Sequence, residues 1–303
     1  MLVVAAIGGN ALLKRGQPLT AENQRANVKV AAAALARIVQ AGHKLVVTHG
    51  NGPQIGLLAL KGAAYDPQKI YPLDLLGAKT DGMIGYVIEQ ELENALDHTR
   101  AVATLLTQII VDPADPAFSN PTKFIGPVYT REQADVLANA AGWSVAQDGN
   151  AWRRVVPSPQ PQEIPDVRVL KLLLDQDVIV ICGGGGGIPV LRGEDGSLTG
   201  VEAVIDKDAS SRLLAQQLDA DALLLLTDVD GVYRDFGTDA QARIETLTPQ
   251  DALALDLPAG SMGPKMEAAA TFSTHGGLAG IGRLDQALEI LEQKAGTCVL
   301  TPK

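Results

Sequence analysis

Apolar positions along this chain fall into two alternating rhythms. Residues 2–7 form an unbroken apolar run that stops at Gly8-Gly9-Asn10, the pattern of a strand buried on both faces and ended by a tight turn. Residues 21–41 are alanine-rich, with Leu35, Ile38 and Val39 spaced for one helical face, and Gly42 closes the segment. A second buried strand, 44–48, runs straight into His49-Gly50-Asn51-Gly52-Pro53. The alternation then continues. Helices are predicted over 74–97, 167–174, 203–218 and 262–273, and strands over 101–106, 108–111, 178–182, 222–227 and 297–300. Strands alternating with helices predict βαβ crossovers and a mainly parallel sheet covered on both faces, an α/β fold.

One stretch breaks the rhythm. Residues 113–165 carry eight of the 17 prolines and both tryptophans, Trp143 and Trp152. Such material suits a protruding loop or small subdomain better than a buried parallel strand. Phe124 and Val128 supply core formers that a bare linker lacks.

With 303 residues at 46% hydrophobic composition, the chain can bury a substantial core, which excludes a disordered protein or a small disulfide scaffold. Its formal net charge of −10 argues against general binding to nucleic acid or to anionic membranes. A few local lysines can still hold a small anion. The two cysteines, Cys182 and Cys298, lie in apolar stretches and read as buried free thiols. No basic leader precedes residues 2–7, and no run approaches the ~20 apolar residues of a membrane span, so a soluble, cytoplasmic protein is expected.

Three apolar strands end in glycine: Gly8-Gly9-Asn10, Gly50-Asn51-Gly52 and Gly183 to Gly187. In an open α/β sheet the ligand lies beyond the carboxyl ends of the strands, and glycine there lets backbone N–H groups approach an anion. The familiar alternatives are absent from the sequence. It contains no Gly-Lys dipeptide and hence no Walker A loop, no G-x-G-x-x-G, no C-x-x-C, no H-E-x-x-H and no G-x-S-x-G. Four scattered histidines do not suggest a histidine-rich metal site, and no metal ligand is assigned.

Phosphoryl transfer needs alignment and charge neutralisation more than covalent chemistry, and lysine is a suitable point charge. Asp206-Lys207-Asp208 stands at the expected start of a helix, with Asp206 placed to cap it and both carboxylates placed to orient Lys207. Lys265 follows Gly260-Ser261-Met262-Gly263-Pro264; in a first helical turn it opposes the helix dipole, which points to an anion nearby. Lys123, in Asn120-Pro121-Thr122-Lys123, is by composition an ordinary surface lysine.

Taken together, these segments resemble the amino acid kinase family, and within it the branch that phosphorylates carbamate. The resemblance rests on Gly8-Gly9-Asn10-Ala11-Leu12, on His49 to Gly56 (HGNGPQIG), and on Asn120-Pro121-Thr122-Lys123 with Ile125-Gly126-Pro127. Further on it rests on Cys182 to Gly186, Ala203 to Asp208, Leu226 to Tyr233 and Gly260 to Lys265, all in order over essentially the whole chain. It implies an open αβα sandwich spanning 1–303, with 113–165 as a protruding lid inserted within it. It further implies a homodimer and reversible phosphoryl transfer between carbamoyl phosphate with ADP and carbamate with ATP, assisted by Mg2+. In that picture Gly8, Gly9, Asn10, Gly50, Asn51 and Gly52 hold the carbamate and the transferring phosphoryl, and Lys207 and Lys123 neutralise its charge. Asp208 orients the lysines, Lys265 contacts the nucleotide phosphates, Gly183 and Gly184 approach the nucleotide, and Asp228 and Tyr233 lie near its nucleoside. Residues 279–284 depart from the family's usual strand end, and Arg283 there bears on the nucleotide rim or on dimer contacts. The alternatives are a sister kinase making an acyl phosphate of a carboxylate such as N-acetylglutamate, and a non-catalytic nucleotide sensor on the same fold. A nicotinamide oxidoreductase is disfavoured by the missing fingerprint.

Overall fold

In the computed structural model, residues 1–13, 16–66, 69–258 and 262–301 are described, with Asn10 and Ala11 described by their backbone only. Eight strands form the central sheet: β1 (Leu2–Ile7), β2 (Lys44–His49), β3 (Val102–Leu105), β4 (Ile179–Cys182), β5 (Ala222–Thr227), β6 (Thr246–Leu247), β7 (Leu278–Arg283) and β8 (Thr297–Val299). Their spatial order is β6-β8-β7-β5-β1-β2-β4-β3. The six from β7 to β3 are parallel; β8 runs antiparallel to β7, and β6 follows β8.

Both faces of the sheet are covered, which is why its central strands read as continuous apolar runs instead of alternating. On one face Val3, Ala5 and Ile7 pack with Val28, Leu35 and Ile38 of α1 (Ala21–Gln40). Helix α2 is Gly52–Tyr65, and α3 (Leu73–Ala95) adds Ile84, Ile88 and Leu92 to that face. On the other face Val4 and Ala6 pack with residues of two later helices, described below. Each fully buried Leu, Ile or Val contributes roughly 1.5–3 kcal/mol, so one polar residue in β1 would be felt on whichever face it met.

The proline-rich insert contains a three-stranded antiparallel sheet, Lys123–Tyr129, Ala151–Val156 and Ser144–Asp148 in that order, with helix α4 (Arg131–Ala141). A capping box of Thr130 and Gln133 starts α4, and Gly142 ends it in the left-handed conformation. The flank Pro161–Glu163 belongs elsewhere: it is the edge of a four-stranded sheet with Gln108–Val111, Ile188–Arg192 and Leu198–Gly200.

The helix expected over 203–218 begins later, as α5 (Lys207–Gln217), because Asp206 caps it by accepting from the amides of Asp208 and Ala209. It packs beneath β1 through Leu214, beside Ala269 and Phe272 of α6 (Met262–Ser273). Periodicity alone did not indicate α2 or β7. In α2 small and apolar residues run on without a clear polar face. In β7, Gly280 and Gly282 dilute the apolar run, yet a β-carbon there would come within 2.3 and 2.8 Å of the Ile290 side chain, so Ile290 occupies that space.

Candidate active site

From β1 the chain proceeds to β2 on one side, and β5 later enters on the other, so a crevice opens beyond the carboxyl ends of these strands. A cavity of about 740 Å³ lies there. Gly8 and Gly9 after β1, Gly50, Asn51 and Gly52 after β2, Gly185 after β4, and Asp228 and Tyr233 after β5 all line it. So do Asp206, Lys207 and Asp208 at the start of α5, Lys265 in α6, and Lys123 from the insert.

The glycine turns are close-packed. A β-carbon on Gly50 would lie 3.2 Å from the Gly9 nitrogen, and one on Gly8 3.1 Å from the Leu226 oxygen. Gly8 donates its N–H to Leu226 O at 2.9 Å and Gly50 donates to Ile7 O at 3.1 Å, so these two amides are committed to the sheet. Gly9 and Gly52, the first residues of helical turns, carry N–H groups that have no intrahelical acceptor. The turns therefore have two glycines whose amides bond to the sheet and two, Gly9 and Gly52, whose amides lack an intrahelical acceptor at the cavity. Asn10 belongs to the Gly9–Leu12 turn, and its side chain lies outside the described residues.

The charged wall is built around one carboxylate. Lys207 Nζ donates to Asp208 Oδ1 at 2.6 Å, and Lys265 Nζ donates to Asp208 Oδ2 at 2.8 Å. Burial pushes the Asp208 carboxyl up, but the two ammonium groups reverse this and hold it well below the usual carboxylate range. Burial likewise pulls the Lys207 ammonium below the ordinary lysine value, against the pull of Asp208. Ser211 Oγ donates to the Lys207 carbonyl at 2.6 Å and shares a 2.6 Å hydrogen bond with Thr48 Oγ1, tying the lysine's backbone to β2. Lys123 Nζ reaches Asp206 Oδ2 at 2.5 Å, while Asp206 Oδ1 caps α5. The Asp206 carboxyl is lowered too, burial being outweighed by Lys123.

Most expected site residues thus converge on one cavity, and two do not. Gly183 and Gly184 are buried and do not line the cavity. A β-carbon on Gly184 would come within 1.9 Å of Asp81 Oδ1 and 2.5 Å of His49 Cε1, and the Gly183 N–H donates to Thr107 Oγ1 at 3.0 Å. Gly184 thus has no room for a β-carbon, while Gly183 takes a left-handed φ of +59°. Gly185, with a φ of +68° and the Asn51 side chain 2.0 Å from its would-be β-carbon, is the glycine of that turn that lines the cavity.

Sequence reasoning missed Arg153 and Phe236, which also line the cavity. Arg153 donates to Gly126 O at 3.0 Å and to Asp148 Oδ2 at 3.2 Å. No short motif marks either residue; only pairing in the insert sheet and the loop after Tyr233 bring them in. After β5, the Tyr233 hydroxyl donates to Asp230 at 2.9 Å, and its ring centroid stands 6.1 Å from that of Phe236. Arg283 is bonded to Asp285 at 2.7 and 3.0 Å and does not line the cavity. Gly260 and Ser261 lie outside the described residues. Among the described residues no cluster of three or more His, Cys, Asp or Glu is arranged to hold a metal ion.

This arrangement can bind a small anion on amides and place fixed ammonium groups against a phosphoryl group. Comparison with known proteins gives the same direction. The amino acid kinase family model matches residues 1–281. The chain is 53% identical to the carbamate kinase of Rhizobium meliloti (strain 1021), covering 99% of this chain and 93% of that protein. It is also 53% identical to the carbamate kinase of Haemophilus influenzae, covering 98% and 96%. The carbamate kinase of Giardia lamblia bound to AMP-PNP superposes with a TM-score of 0.90 at 40% identity, covering 99% of this chain and 98% of that one.

Proposed function

The chain belongs to the amino acid kinase family, and we propose on that premise that it moves a phosphoryl group reversibly between carbamoyl phosphate with ADP and carbamate with ATP, as a carbamate kinase does. The observation that carries this reading is Asp208 holding Lys207 and Lys265 together, in the same cavity as the glycine turns of β1 and β2. Carbamate is planar, small and without a side chain, so backbone amides and carboxamide dipoles are what recognition can use.

In the direction of ATP synthesis, a β-phosphate oxygen of ADP attacks the phosphorus of carbamoyl phosphate. The bond from phosphorus to the carbamate oxygen breaks, and carbamate leaves with that electron pair. The Gly9, Asn10, Asn51 and Gly52 backbone holds the carbamoyl end, with Gly8 and Gly50 closing the turns. Lys207 and Lys123 neutralise charge on the transferring group, Lys265 holds the nucleotide phosphates, and Asp208 fixes Lys207 and Lys265 relative to each other. Asp228 and Tyr233 flank the nucleoside. The carboxylates of the charged wall are bonded to lysines, and magnesium accompanying the nucleotide would supply further neutralisation of its phosphates. The insert, carrying Lys123, covers the reacting groups and excludes water from labile carbamate.

The same reading includes a homodimer in the cytoplasm. Exposed Leu75, Met83 and Tyr86 on α3 support the first, and two buried free cysteines support a reducing compartment. Among the described residues no helix is long and apolar enough to cross a membrane.

The decisive experiment mixes the purified chain with ADP, magnesium and carbamoyl phosphate and measures ATP. In parallel, ATP is offered with carbamate or with N-acetylglutamate. ATP formation together with phosphorylation of carbamate alone is expected. Preferential phosphorylation of N-acetylglutamate would transfer the chain to the sister activity, and nucleotide binding without turnover would make it a sensor.

A further inference from the structure

Behind the cradle lies a polar pair that the reaction as described does not use. His49 and Asp81 are both fully buried, and His49 Nε2 stands 3.4 Å from Asp81 Oδ1. Neither carboxylate oxygen has a hydrogen-bond partner among the described residues. A buried carboxylate without a partner is strongly disfavoured, and among the described residues the one basic group within ion-pair distance of Asp81 is the His49 ring. The other ring nitrogen, Nδ1, lies 3.3 Å from the Gly50 carbonyl oxygen, which can only accept; Nδ1 therefore donates.

That contact has a geometric consequence. Gly50 and Asn51 line the cavity, and His49 lies behind them. In a planar trans peptide the C=O and the following N–H point opposite ways. Anchoring Gly50 O back onto His49 turns the Asn51 N–H forward, towards the cavity. The neighbouring residue on α3 secures the side chain of the same turn, since Asn51 Nδ2 donates to Thr80 Oγ1 at 2.8 Å. The β4 turn then closes over both contacts, with Gly184 against Asp81 and Gly185 against Asn51, leaving no space for a β-carbon.

We propose that His49, held by Asp81, is a positioning residue that presets the Gly50–Asn51 peptide as an anion donor for the transferring phosphoryl group. The proposal rests on the functional reading above. Its test compares two substitutions for kcat, KM and thermal unfolding in ATP formation. His49→Leu deletes the Nδ1 donor and is expected to lower kcat about 10- to 100-fold, less than removing a donor that touches the transition state directly. The KM for ADP should stay unchanged. His49→Asn places a carboxamide N–H near the position of Nδ1 and should recover kcat to within about three-fold. A purely structural role would move the unfolding temperature without this split between leucine and asparagine. Should the leucine variant fail to fold, His49→Gln takes its place, because its longer amide serves Asp81 but not Gly50, and kcat should again fall. Wild-type kcat in His49→Leu, or equal kcat in the asparagine and glutamine variants, would overturn the proposal. Absence of ATP formation by the unaltered chain would instead sink the functional reading.

Discussion

Two lysines of the cavity are held by the main fold and a third by the insert, and the two arrangements differ. Lys207 and Lys265 share Asp208, with side chains only 11% and 14% exposed, and their helices pack against the central sheet. Lys123 meets Asp206 from the protruding sheet with 32% of its side chain exposed. That sheet rests on the rest of the molecule through a small separate cluster, Ile125 and Val156 against Ile55, Leu73, Leu76 and Val204. It also rests on Gly126 set so close to Gly56 that a β-carbon on Gly56 would fall 1.9 Å from the Gly126 Cα. Charge built into the sheet's rim is preorganised at all times. Charge carried by the insert is only as well placed as that small interface allows.

The largest expected break in this comparison is Lys207→Ala, which should lower turnover roughly 10²–10³-fold in a folded protein, the range for losing one preorganised charge stabiliser. Initial-rate measurement of ATP formation decides it, and near-normal turnover would refute the role. Lys123→Ala should cost less, about 10- to 100-fold in kcat, with ADP affinity unchanged by calorimetry, because it removes a charge from the transferring group and not from the nucleotide. Equal loss of ADP binding would place the insert in the nucleotide site.

A stability contrast sharpens the same point. Gly184→Ala drives a methyl into Asp81 and His49 in the packed wall and should destabilise by about 1–3 kcal/mol or more, read from denaturant unfolding. Asp206→Ala removes a helix cap and should cost about 1 kcal/mol, while also releasing Lys123. The subtlest effect is on pH. Because burial lowers the Lys207 value, its proton leaves at a lower pH than that of an exposed lysine, so the alkaline limb of kcat should begin below the ordinary lysine range. Lys207→Arg keeps its charge throughout and should move that limb upward, whatever its absolute rate.

Much of this was legible in the chain itself, for reasons that differ by element. The strand runs at 2–7, 44–48, 178–182 and 222–227 stand out because both faces of the sheet are buried, which erases alternation. Asp206 as a cap was legible because capping is a local interaction over three residues. Gly183 and Gly184 look alike in the chain, yet one needs its left-handed φ of +59° and the other leaves no space for a β-carbon beside Asp81 and His49, a difference that appears only once the neighbours are known. Arg153 and Phe236 were invisible because a sheet register and a loop path bring them to the cavity.

The order of apolar runs, glycine turns and acid-flanked lysines, set by local sterics and burial, determined an α/β fold with glycine turns and lysines at the carboxyl ends of its strands. Only the tertiary structure decided that one carboxylate serves both Lys207 and Lys265, residues 58 positions apart, and that His49 and Asp81 meet beneath the cradle. Those pairings depend on which strands lie side by side and which helix crosses behind them, and distance in space is not written into spacing along a chain.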